Sequence, residues 1–258
     1  MLTHLIAYIA PHKRRITRAA SIVAALCLWQ VSGTLGMNAA LFPPPTRVVH
    51  AFITMVLHRG YMRDILASSI RLAVGYFAGA SLGIVIGLLV GRVHVIDDLA
   101  SPLIQMLRPI SPISLIPIVI LWFGLGNMAK YCLIMWGVFF PVWINTSLGV
   151  RNVDQKYVWA AQSLGISGLP LLLRIIFPAA MPMVIAGLRT AIPIAFYTLV
   201  AAELAGAYSG VAYEINVAQL NMRFGEMFAG LVVLGLMSAL ADYLFVALSK
   251  KLFPWAHA

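Results

Sequence analysis

Residues 159–178 have the sequence WAAQSLGISGLPLLLRIIFP, and this stretch decides how the rest of the chain is interpreted. It carries two small alanines, a glycine turn, a second amphipathic piece and a closing proline. Both neighbouring segments are apolar and long enough to cross a membrane. A patterned, helix-forming loop between two membrane spans indicates a surface that another protein binds.

The composition predicts an all-α, polytopic membrane helix bundle. The chain is 62% hydrophobic and only 10% charged, whereas a soluble domain carries about 25% charged residues. Spans of ~20 apolar residues are expected in such a protein. We predict six of them, at about 18–35, 65–90, 103–124, 129–148, 181–206 and 224–248. They fill a single domain over residues 1–258 and leave no room for a soluble catalytic domain.

The net charge of +10 does not indicate nucleic-acid binding, because the basic residues flank the spans and form no single stripe. They follow the positive-inside rule. This distribution predicts a multi-pass membrane protein with both termini in the cytoplasm, and it places residues 151–178 on the cytoplasmic side. Cys27 and Cys132 fall within predicted spans without metal-ligand spacing, so neither a metal site nor a disulfide framework is expected.

The second predicted span carries glycines at every fourth position, which places them on one helix face. They are Gly75, Gly79, Gly83 and Gly87, with Gly91 continuing the series. Small residues let helix backbones approach closely in lipid. We therefore expect helix packing along this face, with direct substrate contact as the alternative.

The third predicted span is interrupted by prolines, including Pro109 and Pro112, with Arg108 directly before the first of these. Each interior proline removes a backbone hydrogen bond. Broken backbone at membrane depth is tolerated only against protein or a water-filled cavity. The span is therefore expected to face the bundle interior, either as a gate or as a kinked packing helix.

Glu203 and Asp242 are the acidic residues predicted to lie inside the membrane. A charge there usually has a partner and often a function. Arg71, Arg108 or Asn145 could satisfy Glu203, and both a structural ion pair and a role in the pathway stay open. For Asp242, near Lys250 and Lys251, a structural role is favoured. The candidate translocation pathway is thus Arg108, Pro112, Asn145 and Glu203.

Local signals divide residues 151–178 into two short helices. Residues 156–164 can form the first, with Ala160 and Ala161 on an accessible face, and Gly165 suits a left-handed C-terminal cap. Ser167 can cap the second helix, with Pro170 in its first turn. Pro178 and Pro182 are then expected to break the chain before the fifth span.

This loop resembles the "EAA" coupling motif of permease subunits of binding-protein-dependent ABC importers. That pattern is Glu-Ala-Ala, three residues, Gly, nine residues and Ile-x-Leu-Pro. Ala160, Ala161, Gly165, Ile175 and Pro178 fall in register. Trp159 stands where glutamate is usual and Phe177 where leucine is usual, so a salt bridge from the first position is not expected.

The resemblance extends over nearly the whole chain, in runs such as LFPPPTRVV, LIQMLRPISPISLIPIVILWFGLGNMAK and FFPVWINTSLGVRNVD. These runs are similar to the sulfonate, taurine, nitrate and bicarbonate branch. The resemblance implies a type I importer permease fold, a second copy of the permease, two cytoplasmic ATP-binding subunits and an extracytoplasmic solute-binding protein. ATP and Mg would be used by the partner ATPase, and this chain would bind no cofactor and catalyse no reaction. It has no GxxxxGK[ST] phosphate loop.

Two other classes compete with a permease subunit. A secondary transporter or channel driven by an ion gradient commonly shows inverted repeats, and no convincing repeat is present. An intramembrane enzyme needs a convergent catalytic motif such as HExxH within its spans, and the histidines here are peripheral.

Overall fold

The computed structural model describes residues 2–35 and 41–256, which are helical with short connections. The α-helices, in chain order, are α1 Leu2–Leu35, α2 Pro45–Arg59, α3 Tyr61–Arg92, α4 His94–Leu107, α5 Ile116–Phe123, α6 Asn127–Arg151, α7 Gln155–Ser163, α8 Gly168–Leu171, α9 Phe177–Leu204, α10 Val211–Leu220 and α11 Phe224–Leu252. A 3-10 turn, Pro112–Leu115, precedes α5, and a π turn, Leu172–Ile176, joins α8 to α9.

Four long helical segments in the described part of the chain are apolar enough to cross a membrane. They are Tyr61–Arg92, Asn127–Arg151, Gly168–Leu204 and Phe224–Leu252. The first predicted span lies in α1, where Ala20–Leu35 forms a shorter apolar helix.

The third predicted span, 103–124, is not one continuous helix. Its residues belong to α4 and to the segment Pro112–Phe123, which meet at a bend of 84°. The chain leaves helical geometry over residues 108–111, which hold Pro109 and directly precede Pro112, because proline cannot donate the backbone hydrogen bond that would continue α4. The prolines therefore produce a broken span.

The described chain divides into two compact units. The first contains Ile215–Val232 together with the described residues up to Tyr61. The second contains Met62–Glu214 and the described residues from Val233 onward. That residues 1–258 form a single domain stays a prediction.

The first unit is held by aromatic contacts and one close backbone approach. The rings of Phe42 and Phe228 lie 5.5 Å apart edge to face, and Trp29 packs within 6.3 Å of both. A Cβ on Gly33 would lie 2.8 Å from the backbone of Pro44. Glycine thus lets the end of α1 approach the start of α2.

α6 is the most buried of the long helices, with 61% of its most apolar stretch buried. Its neighbours α3 and α9 supply small residues to the shared core. The cluster consists of Ala80, Ile134, Val138, Val142, Ala191, Ala195 and Leu199.

The glycine face of α3 lies directly against α6. A Cβ on Gly75 would stand 2.6 Å from Ile134 Cβ, and one on Gly79 would stand 2.6 Å from the carbonyl oxygen of Met135. Gly83, Gly87 and Gly91 are equally close to later turns of α6. Because even a methyl group does not fit, the two backbones pack at a distance that only glycine allows.

Candidate functional site

Residues 154–178 form a segment that begins with a capped helix. The Asp154 side chain accepts a hydrogen bond from the Lys156 backbone N–H at 3.0 Å, which places it at the N-cap of α7. Its second oxygen lies 2.7 Å from Lys156 Nζ. The hydrogen bond from the Lys156 side chain, and then that from its backbone, holds the pKa of Asp154 below its ordinary value.

The turn after α7 depends on a glycine. Gly165 has φ +78°, the left-handed conformation that the sequence predicts. Its N–H donates to the carbonyl of Gln162 at 2.9 Å, and the next N–H, of Ile166, donates to that of Ala161 at 3.0 Å. These two bonds satisfy carbonyls left free at the helix end and fix the direction in which the chain continues.

The two alanines of the motif face opposite ways. Ala160 is exposed, as predicted. Ala161 is 4% exposed and packs with Val158 and Leu171, so the prediction that it lies on the accessible face is wrong. The sequence gives two small residues, and only the rotation of this short helix decides which of them meets the core.

Several large apolar side chains of the segment are exposed. Trp159 is 65% exposed and Leu164 80% exposed, and both belong to the motif region around Gly165. Leu169 and Leu173 continue this surface beyond the turn. Exposed apolar patches of this kind mark protein or membrane contact sites.

The chain does not break between the second short helix and the fifth predicted span. α8, the π turn and α9 form one helical run from Gly168 to Leu204. Pro178 lies in the first turn of α9, where a missing N–H is tolerated, and Pro182 lies inside the helix. The widened π turn precedes Pro178, with Phe177 N–H bonded to the Leu172 carbonyl. The expected interruption at Pro178 and Pro182 is therefore wrong.

One further expectation concerns the same run. Ser167 stands at the N-cap of α8, but its side chain makes no capping hydrogen bond, so the predicted cap is wrong. Ile175 is half-buried, and Ile176 beside it is 1% exposed in the core. The segment is thus anchored on its inner side and apolar on its outer side.

A cavity of about 440 Å³ lies at the bend of the broken span. It is lined by Arg108, Ile110, Ser111, Pro112, Trp136, Gly137, Phe140, Pro141, Ile144, Asn145 and Ile194. Trp136 Nε1 donates to the Ile110 carbonyl at 3.1 Å, which satisfies a backbone group at the break. The broken backbone therefore borders a cavity, which is a setting where non-helical backbone is tolerated at membrane depth.

Three of the four candidate pathway residues, Arg108, Pro112 and Asn145, line this cavity. The structure places the fourth, Glu203, elsewhere. Arg108 is exposed, and among the described residues its side chain makes no hydrogen bond or ion pair. A free guanidinium in a cavity can bind an anion.

Glu203 is 1% exposed and pairs with Arg71 at 2.8 Å. Of the three partners that the sequence allows, the structure therefore has Arg71. Ser68 Oγ donates to the same carboxylate at 2.7 Å, and the Ala212 N–H donates to its other oxygen at 3.0 Å. Gly210 has no side chain to occupy the space of the carboxylate.

Arg71 makes further bonds that the sequence does not reveal. Its Nη1 donates to the Ser209 carbonyl at 2.6 Å, its Nη2 to Ser209 Oγ at 2.9 Å, and its Nε to Asn127 Oδ1 at 2.8 Å. The network thus joins α3, the start of α6 and the connection after α9. Polar residues in apolar helices are the sequence signal that could have indicated it.

Asp242 pairs with Arg189 and not with the lysines that follow it in sequence. Arg189 Nε and Nη2 donate to the two carboxylate oxygens at 2.8 and 2.9 Å. The structural role favoured for Asp242 thus has a different partner. Within the described residues, no cluster of three metal-ligating side chains is present.

Comparisons with known proteins match this chain to membrane transport components. A family model described as "Binding-protein-dependent transport system inner membrane component" matches residues 79–255. A Bacillus subtilis protein, assigned by name to aliphatic sulfonate transport as a permease, is 36% identical over 90% of this chain and 85% of its own length. The taurine transport system permease of Escherichia coli is 32% identical over 95% of this chain and 92% of its own length.

One solved structure supports the fold alone. It is described as the crystal structure of an amino acid ABC transporter with histidines, and it matches with a TM-score of 0.53 at 16% identity. The match covers 79% of this chain and 97% of that chain. The fold is therefore that of an ABC transporter permease.

Proposed function

Because the chain belongs to the family of binding-protein-dependent transport system inner membrane components, we propose that it is the permease subunit of an ATP-driven importer and that residues 154–178 couple it to a separate ATPase. The chain would act as a homodimer in the bacterial inner membrane. Two cytoplasmic ATP-binding subunits would hydrolyse ATP with Mg, and an extracytoplasmic binding protein would deliver the solute.

The observation that carries the coupling proposal is the construction of the segment. Its outer side presents Trp159 and Leu164, while its inner side is packed through Ala161 and Leu171. Beyond the turn it continues into α9 without a break. Force applied by a partner to the exposed side would therefore reach the membrane interior through a continuous helix and not through a flexible loop.

The coupling residues we propose are those of the motif: Trp159, Ala160, Ala161, Gly165, Ile175 and Pro178. Trp159 supplies an exposed apolar ring where a carboxylate is usual. We propose that Trp159 binds in an apolar groove of the partner. A tryptophan buried at an interface contributes a large share of the binding free energy. Ala161 acts differently, because it positions α7 on the core.

The proposed solute is a small oxyanion. The relatives described above carry names for aliphatic sulfonate and taurine transport, and a 29% identical relative in Synechocystis is named for nitrate import. Bicarbonate belongs to the same proposed class. The free Arg108 guanidinium in the cavity supports an anion, because its planar fork of donors matches oxyanion geometry.

Site-directed crosslinking tests the coupling proposal. Gln162 is exposed at the end of α7, and Met128 is exposed at the opposite end of α6 from the segment. In a variant with Cys27 and Cys132 replaced by serine, Gln162→Cys should crosslink to the ATP-binding subunit in membranes that contain both proteins. The matched control Met128→Cys should not.

Crosslinking of Met128→Cys to the ATP-binding subunit, without crosslinking of Gln162→Cys, would overturn both the coupling assignment and the cytoplasmic placement of the segment. Labelling with a membrane-impermeant maleimide gives a second measurement on the same two variants. We expect Met128→Cys to react in intact spheroplasts and Gln162→Cys to react only after lysis.

A further inference from the structure

The cavity at the bend of the broken span holds one positive side chain. Arg108 directly follows α4, and its guanidinium has no partner among the described residues. Guanidinium groups offer five N–H donors. An unpaired set of such donors at a cavity favours a ligand with two or more anionic oxygens.

Two neutral polar side chains border the same cavity, and each has a hydrogen-bond donor that is not used. Asn145 uses one amide N–H on the Pro141 carbonyl at 2.8 Å, and an amide nitrogen carries two. Ser111 Oγ accepts from the Ile113 N–H at 3.3 Å, which leaves the hydroxyl hydrogen available to donate. Both groups can therefore supplement Arg108 around an oxyanion.

The remaining wall is apolar and partly aromatic. Trp136 and Phe140 lie edge to face, with centroids 5.2 Å apart. The indole N–H is already bonded to Ile110, so Trp136 offers only its apolar surface. Ile144 and Ile194 extend this wall. The wall suits a hydrocarbon group and offers no hydrogen bond to a second polar group on the ligand.

No acidic side chain is among the cavity's described lining residues. Glu203, the acidic member of the candidate pathway residues, is paired with Arg71 in a separate network. An ammonium group placed in this cavity would face the Arg108 guanidinium and would find no carboxylate partner among the described lining residues. The lining therefore disfavours a zwitterion, and a small inorganic anion would leave the apolar wall unused.

We infer that this permease has a solute site of its own in the cavity, and that it binds an alkanesulfonate with the sulfonate at Arg108 and the alkyl tail against Trp136 and Phe140. This inference rests on the proposed importer function and narrows its substrate class. Such a site makes the permease itself selective for solutes with an uncharged tail, in addition to any selection by the binding protein.

Direct binding to the full-length permease in lipid nanodiscs tests the site without ATP or partner proteins. The probe is 1-butanesulfonate, which is titrated into the permease by calorimetry. Taurine and sodium nitrate are titrated separately for comparison. We expect butanesulfonate to bind at least about tenfold more tightly than either. Between methane- and butanesulfonate, each added methylene should tighten binding roughly two- to fourfold, as expected for a group that enters an apolar site.

Variants separate the head and tail contacts. Arg108→Gln should weaken butanesulfonate at least about tenfold, and Arg108→Lys should restore part of the loss. Phe140→Leu should flatten the dependence on chain length while leaving methanesulfonate unchanged. Arg63→Gln is the matched control, because Arg63 is an exposed arginine that is not among the cavity's lining residues, and it should bind as the unmodified chain does.

Absence of butanesulfonate binding, equal binding by Arg108→Gln, or a preference for taurine or nitrate would overturn the inference. The proposed function has its own readout, which is ATP-driven anion uptake by the complete importer in proteoliposomes. Uptake that persists while Arg108→Gln keeps unchanged affinity and preference would remove only the site. Absence of ATP-driven uptake of any of the three anions would instead count against the importer function.

Discussion

The guanidinium of Arg71 lies 2.8 Å from the carboxylate of Glu203, although the two residues are 132 positions apart in the chain. Both side chains are withdrawn from solvent, with 6% and 0% of their surface exposed. The pair connects α3 to the end of α9, to the connection that follows α9 through Ser209, and to the start of α10 through Ala212. It therefore fixes the register of that connection relative to two membrane helices.

Breaking this pair should destabilise the fold. Glu203→Ala leaves Arg71 buried without its counter-charge, and removal of one partner of a buried pair costs about 3–5 kcal/mol. Thermal unfolding of the purified chain in nanodiscs measures the loss. Arg151→Gln, which breaks a half-exposed pair with Asp97, should cost no more than about 1 kcal/mol.

A double substitution distinguishes a structural network from a pathway role for Glu203. Arg71→Met with Glu203→Leu removes both charges and should recover much of the stability lost by Glu203→Ala, since apolar replacements of buried pairs are often tolerated. A stable Glu203→Ala chain with impaired uptake would contradict the structural account and favour the pathway.

Gly165→Pro should abolish the coupling of ATP hydrolysis to transport. Proline fixes φ near −65°, whereas Gly165 has φ +78° and donates its N–H to Gln162. We expect at least a tenfold loss of binding-protein-stimulated ATPase activity in the reconstituted importer, with membrane insertion unchanged.

The control for this substitution is Gly60→Pro. Gly60 has a similar φ of +67° and also donates its N–H, to the Met55 carbonyl, but it follows α2 and lies outside the proposed coupling segment. It should keep most of the stimulated activity. Equal losses at the two glycines would attribute the effect to general backbone strain.

Gly79→Ala should weaken the packing of α3 on α6. The added methyl would lie 2.6 Å from the Met135 carbonyl oxygen, and overpacking of this kind costs about 1–3 kcal/mol. The expected result is a lower midpoint of thermal unfolding in nanodiscs. Gly235→Ala in α11 is the control, because nothing lies within 4 Å of its added methyl. It should be neutral or slightly stabilising.

Capping of α7 should be insensitive to pH except at the acidic end. Asp154 has a pKa held below 3.8 by Lys156. Its ionised form is thus favoured by folding, and the stability it gives is present above the unfolded pKa. That stability is lost as pH falls through the lower folded value, at pH values below about 4. Hydrogen exchange of α7 amides between pH 3 and 9, corrected for intrinsic rates, should show this loss.

Asp154→Asn provides the matched test, because asparagine caps a helix without titrating. Its exchange profile should lack the acidic transition and should otherwise follow the unmodified chain. An acidic transition that persists in Asp154→Asn would assign the effect to another group.

The membrane class and four long spans could be predicted because apolar length and composition alone determine them. Gly165 could be predicted for a similar reason, since a left-handed residue at a helix end is normally glycine. Both inferences depend on local sequence. The interruption near Pro112 was also local, but its 84° bend depends on what packs around it.

Tertiary choices could not be predicted. Arg71, Arg108 and Asn145 were equivalent partners for Glu203 in the sequence, and only the packing of α3 against the end of α9 selected Arg71. Likewise, nothing in two adjacent alanines indicates that Ala161 is buried and Ala160 exposed. The continuity of α8 with α9 was missed because a π turn accommodates Pro178.

Ile194, on the wall of the cavity, belongs to the same helical run as Leu171, which anchors the exposed segment. At 1.5 Å per residue these positions are separated by roughly 35 Å of helix. Thermodynamic linkage makes such a connection work in both directions. If a partner bound at the exposed segment changes the affinity of the cavity for its ligand, a bound ligand must change the affinity of that segment for the partner by the same factor. A ligand in the cavity would therefore alter partner binding before any ATP is hydrolysed.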